Sequence, residues 1–312
     1  MRARPGPARS PLPLVAKALA DLRVRHYPVE AASIPPDGSG RYPLDLRAIF
    51  ASPRFDSDGV IVTAGPGGRA YRNPVSAGLY ALGRHTAGRA ERGGRDADTG
   101  RFLAQARGLL LSQDSDGGWR YPVPVPRYRV APGWYSAMAQ GLAISVLLRA
   151  HDLTGERSYA GAASRAAALL LRPLAEGGCA DYDQWGRPFL EECPSDPPCH
   201  ILNGALFALI GLRELEARTG GDRHGAAAAR LAAQLGQFDL GYWSRYDLRF
   251  TAPATQAYHS LHVSLLDAAG RLLAEPRFSS AALRWRRYLR NPGNRFRAAA
   301  GKARFVLTAG HA

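Results

Sequence analysis

The sequence predicts a mainly α protein: an incomplete α/α-toroid, an α/α-barrel of helix pairs, behind a short N-terminal β-containing segment. Two observations carry this. From Asn73 almost to the end, apolar residues recur at helical spacing, in segments that come in pairs. After the second helix of each of the first three pairs stands a Gly-rich segment with aromatics: Asp116-Gly-Gly-Trp119, Gly177-Gly-Cys179 leading to Trp185, and Leu240-Gly-Tyr-Trp243. These glycines recur about every 60 residues, and a unit of two helices and one Gly/aromatic loop marks stacked or ring-closed helix pairs. In such a fold the loops gather at one end and form a cleft, where a rigid scaffold holds functional residues.

Residues 1–40 are rich in Pro and Arg and read as an arm, partly disordered. Residues 41–72 contain Asp58-Gly59, then Val60-Ile-Val-Thr63, then Gly65-Pro-Gly-Gly68, which predicts a strand or two with tight turns. The helical domain spans 73–295. Its expected pairs are 74–85 with 99–113, 135–151 with 159–171, 199–219 with 223–235, and 258–273 with 279–288. The third pair is the best marked. Pro197-Pro198 precedes it, and Ile201, Gly204, Ala205, Ala208, Leu209 and Leu212 line one apolar face. Residues 296–312 read as a basic tail.

At 312 residues and 46% hydrophobic, the chain can bury a sizeable core. Its formal charge of +15, almost all of the excess Arg, predicts attraction to a polyanion carrying carboxylate, sulfate or phosphate. Nucleic acid is disfavoured, since no helix-turn-helix, RNA-recognition or zinc signature is present. Cys179, Cys193 and Cys199 have neither zinc spacing nor an even disulfide framework, and free thiols are expected. No apolar run is long enough for a transmembrane helix. The basic N-terminus has no clean apolar stretch, so a signal peptide is not expected and the cytoplasm is. A homodimer is possible.

The unusual residues lie in the predicted loops. Residues 116–130 interleave Arg120, Arg127 and Arg129 with Trp119, Tyr121 and Tyr128, while alternating prolines stiffen an extended wall. Aromatic faces suit bases or sugar rings, and guanidinium suits anions. Residues 189–204, FLEECPSDPPCHILNG, place Glu191 and Glu192 before a helix whose first turn holds Asn203. A carboxylate there can be desolvated and tuned for proton transfer. Further on, Tyr246 and Arg249 lie three apart in an aromatic loop, and Tyr258, His259 and His262 open the next helix. The two histidines lack a third ligand at suitable spacing, so no metal is expected.

In order, GWYSAMAQG, FLEECP with HILNG, YDLR and YHSLH resemble the C-terminal catalytic domain of the D-glucuronyl C5-epimerases of heparan sulfate and heparosan biosynthesis. The resemblance spans roughly residues 70–290. It implies an α/α-barrel that inverts C5 of glucuronate within an anionic uronic-acid polysaccharide, giving iduronate, with no cofactor. Glu192 stands at the family's catalytic glutamate, and Tyr246 and Tyr258 at its two functional tyrosines. Arg249 is then the natural clamp for the sugar carboxylate, helped by Arg127 or His259, and Asn203 is expected among the substrate-binding residues. Inversion needs proton-transfer groups on opposite faces of the ring; Glu192 and Tyr258 are expected in that role, with Tyr246 assisting at the ring oxygen or relaying the proton. Beside arginine, a tyrosine could have its pKa lowered enough to act as base.

One departure is clear: the family usually reads Glu-Glu-Tyr-Pro, whereas here Cys193 occupies the position of a substrate-contacting tyrosine. The stretch before residue 70 is also short for the larger β-rich region of the animal enzymes. Two other functions fit the same residues: a uronic-acid polysaccharide lyase, and a non-catalytic module that binds polyanionic glycans.

Overall fold

The structure, a computed structural model, describes residues 28–29, 40–90 and 95–309. The arm predicted over residues 1–40 lies almost wholly outside them. Strands β1 (Arg54–Phe55), β2 (Ile61–Ala64) and β3 (Ala70–Arg72) form a small antiparallel meander, one strand more than the upper count expected. The anticipated turns make it: Gly59 (φ 74°), Gly67 (φ 70°) and Gly68 (φ 78°) take the left-handed conformation that glycine adopts without steric cost.

Among the described residues the helices come as four pairs and one more. They are α1 (Pro74–Ala90) with α2 (Arg95–Ser112), α3 (Ala137–Thr154) with α4 (Arg157–Leu171), α5 (Leu202–Thr219) with α6 (Arg223–Gln234), and α7 (Gln256–Leu272) with α8 (Pro276–Arg290). Each predicted pair is present, with shifted ends. The stretch expected as a basic tail instead belongs to a helix, α9 (Pro292–Ala309). Among the described residues, no helix is long and apolar enough to cross a membrane.

Short links within each pair make its two helices antiparallel. Helices α1, α3, α5 and α7 pack on one another in that order as an inner row, and α2, α4, α6 and α8 each pack on the helix before them. The ends of the row, α1 and α7, share no substantial interface, so the toroid is open. Because the outer helices carry the chain back, all four inner helices point the same way. Their N-termini therefore meet at one end, together with the long segments 113–136, 172–201 and 235–255.

The centre of the row is the α3–α5 crossing, where both helices are buried over most of their length. Backbone meets backbone there. A Cβ at Gly141 would lie 2.4 Å from Ala208 Cα, and one at Gly211 would lie 2.2 Å from the Gly141 carbonyl oxygen. Neither neighbour is a side chain that can swing aside, so Gly211→Ala is expected to force the helices apart and cost about 3 kcal/mol, the upper end of ordinary overpacking. Urea unfolding checks this; an unchanged midpoint would show that the crossing has slack. Further along the same pair, Arg149 of α3 and Glu214 of α5 form a fully buried two-pronged ion pair, at 2.7 and 2.8 Å. It fixes the register of the two helices.

Segment 172–201 holds a hairpin that the sequence did not announce, β4 (Ala180–Tyr182) with β5 (Pro188–Leu190). Strand β5 packs against α4, α5 and α6 and delivers the chain directly to Glu191 and Glu192.

Candidate active site

The end where the inner helices start is shaped by their caps. Asn73 accepts the backbone N–H groups of Val75 and Ser76 at α1, Ser136 Oγ accepts that of Ala139 at α3, and Thr255 Oγ1 accepts that of Tyr258 at α7. Helix α5 is the exception. Its cap residue, Ile201, has no side chain to offer, and Glu192 supplies the anion instead. Glu192 Oε2 accepts a hydrogen bond from Asn203 Nδ2 at 2.9 Å, and the Gly204 N–H also reaches the carboxylate. Oε1 lies 3.5 Å from the Tyr246 hydroxyl.

Gly204 makes this approach possible, since a Cβ there would sit 2.4 Å from Glu192 Cβ and 2.5 Å from Oε2. Burial pushes the Glu192 carboxyl up to about 7; the bonds from Tyr246, Asn203 and Gly204 oppose that push without cancelling it. A carboxyl with such a pKa can both accept and return a proton at neutral pH.

The shift has a consequence for stability. The folded state holds this proton more tightly than the unfolded chain, whose carboxyl titrates near 4.5. The contribution of this group to stability is therefore full below about pH 4.5 and is lost as pH rises through about 7. Glu192→Gln removes the desolvated charge, so the variant is expected to gain about 1–2 kcal/mol over the parent at pH 8, allowing for the solvent that reaches the carboxyl, and little at pH 5. Thermal melts at the two pH values check the sign. A variant less stable at pH 8 would mean that the charge is structural.

Around Glu192 the structure brings together some predicted residues and withholds others. The Tyr246 ring meets the Tyr258 ring edge-on at 4.7 Å, so Tyr246 touches both Glu192 and Tyr258. Tyr258 is 39% exposed and faces the open end. The idea that arginine lowers the tyrosine pKa does not hold for Tyr246: burial, then the charge of Glu192 and the neighbouring tyrosines, raise it well above the usual phenol value. It stays a neutral hydroxyl.

Arg249 donates to the Pro197 carbonyl at 2.7 Å, tying the loop that follows Glu192 to segment 235–255. Arg127 pairs at 3.1 Å with the buried Asp247 and lies over the rings of Phe250 and Phe305. Asp247 also accepts the Tyr128 hydroxyl and the Phe250 N–H. Both guanidiniums thus brace the loops around Glu192.

Two expected substrate contacts are turned inward. His259 is fully buried and stacked on Trp243 at 3.8 Å. The Ser244 N–H donates to Nδ1, which places the ring proton on Nε2, facing the Trp285 carbonyl. Burial lowers its pKa to about 4, so it is a neutral strut. Cys193 is buried with Tyr128, Cys199 and Ile201, against Tyr246. All three cysteines are free, and no cluster among the described residues could hold a metal ion.

Other neighbours lie outside the motifs. Tyr121, stacked on Trp134 at 4.1 Å, is near enough to Glu192 for that charge, after burial, to raise its pKa. Its hydroxyl donates to Asn73, whose amide reaches the Tyr71 hydroxyl. The Asn-Pro step at 73–74 is a helix-start signal that could have pointed here. Glu191, the other acid of the pair, is fully buried; its carboxyl accepts the His200 N–H and the Cys199 thiol, pinning the loop.

Comparison with known proteins fits this geometry. The sequence profile of a family described as D-glucuronyl C5-epimerase C-terminus matches residues 113–287, more than half of the chain. The chain belongs to this family. The matched span runs from the loop after α2 into α8 and includes Glu192, Tyr246 and Tyr258, while the sheet β1–β3, α1, α2 and α9 lie outside it. A relative, the D-glucuronyl C5-epimerase of Caenorhabditis elegans, is 31% identical over 217 residues, 61% of this chain and 35% of the worm protein. An uncharacterized protein of Methanocaldococcus jannaschii is 26% identical over 136 residues, 41% of this chain and 44% of the archaeal one. The matched region thus covers less than half of either relative.

Proposed function

We propose that this chain inverts C5 of D-glucuronate residues within a heparosan-type polysaccharide, giving L-iduronate. Family membership supports an epimerase, and the observation that carries the chemistry is Glu192, a carboxyl pushed up to about 7 at the start of α5, next to Tyr246, whose ring in turn meets Tyr258.

The C5 proton lies α to a carboxylate and becomes removable only when the developing enediolate is stabilised. The gathered N-termini of α1, α3, α5 and α7 supply a positive field for that charge. Glu192 takes H5 from one face and the C–H electron pair moves into the carboxylate. The Tyr258 hydroxyl then delivers a proton to C5 from the opposite face. Tyr246, between the two, carries the proton from Glu192 back to Tyr258 and resets both groups. The reverse reaction runs through the same groups with their protons exchanged. Arg127 and Arg249 hold the walls and offer their remaining N–H groups to the polymer's carboxylates, Asn203 orients Glu192, and Cys193 fills the space behind Tyr246.

Incubation with heparosan-type polymer in D2O tests the reading. Deuterium at C5 and iduronate signals in the NMR spectrum are expected, with polymer length unchanged. Folded protein that leaves C5 unlabelled would overturn it. Growth of ultraviolet absorbance with shortening chains would assign a lyase instead.

A further inference from the structure

Away from Glu192, a concave surface of about 540 Å³ lies under the β4–β5 hairpin, between the outer helices α4 and α6. Arg172, Tyr182 and Arg223 line it, with Leu171 and Pro188 as its apolar floor. At the tip of the hairpin, Trp185 is 69% exposed, and the Arg187 guanidinium lies 4.8 Å from its ring centre. Among the described residues no other tryptophan is so open: Trp119, Trp243 and Trp285 are buried and Trp134 is only partly exposed. Holding a large ring in water on a tight turn does nothing for the core. The turn is itself well built, with Asp183 accepting the N–H groups of Trp185 and Arg187 and the Arg187 side chain. The ring is therefore presented on a rigid mount.

The groove connects to the catalytic end in two ways. Arg172 lines it and also binds Asp116, in the segment that leads into α3. Strand β5 runs from the tip straight to Glu191 and Glu192, a path of about 20 Å at the rise of an extended chain. An exposed ring with Arg187 against it, at the tip of a hairpin whose Gly186 and Pro188 line a groove with Arg172 and Arg223, suits a sugar bearing a carboxylate, and the chain's net charge of +15 has the matching sign. Glu176, the one acid lining the groove, sits at its exposed edge.

We infer that this groove is a secondary subsite for the uronic-acid polymer, holding sugar residues a few rings away from the one at Glu192. The inference rests on the proposed function for the choice of polymer. The subsite makes retention depend on chain length: a long polymer reaches both places, while a short oligosaccharide fills only the cleft. Linking the two contacts raises affinity for long chains without any new contact at the reacting sugar.

The test measures binding of long heparosan-type polymer and of a short oligosaccharide of the same repeat by titration calorimetry, in the parent chain and in Trp185→Ala/Arg223→Ala, with Trp185 fluorescence as an added reporter in the parent alone. Both side chains are exposed, and a thermal melt verifies folding. The double variant is expected to lose about ten-fold in affinity for the long polymer, the scale of one charge-assisted contact, and to bind the short one as the parent does. Trp185→Phe/Arg223→Lys, which keeps a ring and a charge, should recover most of the loss. Unchanged affinity for the long polymer would overturn the subsite, as would equal losses for both ligands. A shift in oligomeric state on mutation would reassign the groove to contact with a second copy and overturn it too. Length-dependent, Trp185-quenching binding without any C5 exchange in the parent would leave the subsite standing and remove the epimerase reading; C5 exchange with no Trp185 response would do the reverse.

Discussion

Glu192→Gln is expected to lose C5 inversion by a factor of about 100 or more, the scale of general acid–base catalysis, while the fold is kept. The amide can still accept from Asn203 and the Gly204 N–H, so the start of α5 retains its partners. What disappears is the exchangeable proton. The two readouts separate: activity collapses while stability at pH 8 stays level or rises. A variant inactive because it is unfolded would fail the melt, and one that still inverts would move the proton-transfer role to another group. Gly204→Ala should imitate the loss by steric means, because its new methyl would occupy the space of Glu192 Cβ and Oε2.

Tyr258→Phe is expected to stop inversion on a similar scale, with a different signature. Glu192 remains and can still remove and return H5 on its own face. Exchange of solvent deuterium into C5 without change of configuration should therefore survive in part. The partly exposed position of Tyr258, against Tyr246, means that loss of its hydroxyl opens no buried cavity. The NMR spectrum of recovered polymer separates deuterated glucuronate from iduronate. Loss of both exchange and inversion to the level of Glu192→Gln would place Tyr258 with substrate binding, whereas full inversion would remove it from the mechanism. Tyr246→Phe should lose less than either, since its proposed part is to reset the pair.

The helix pairs were legible because the first three each end in a segment of glycines and aromatics, and the ordered motifs singled out Glu192, Tyr246 and Tyr258, which the fold sets next to one another. Less legible were contacts set by tertiary packing. Nothing in the spacing of Arg127 and Asp247, 120 residues apart, announces their ion pair, and two arginines in sugar-rich company read more naturally as ligand clamps. His259 falls beside Tyr258 in the motif, yet one step along a helix turns a side chain by more than a quarter turn, here from the open end into the core. The β4–β5 hairpin was hidden because each strand is only three residues long. Helix α9 was missed because Arg295, Arg297, Lys302 and Arg304 interrupt its apolar positions and make the segment read as basic. Tyr121 and Asn73 reach the neighbourhood of Glu192 through pairing of the N-terminal loops, which a motif search centred on residues 189–262 does not see.

The most direct test of the central claim, a carboxyl near pKa 7 acting at C5, is the pH profile of kcat/KM for C5 exchange. Catalysis requires ionised Glu192 with protonated Tyr258, so the profile should rise about ten-fold per pH unit below 7 and flatten above it. Both directions of reaction should share this shape, since the equilibrium between the two sugars does not depend on pH. Removal of Glu192 should abolish the inflection along with the rate. A parent profile flat from about pH 5 to 8, or an inflection near 7 that survives in the residual activity of Glu192→Gln, would contradict the assignment.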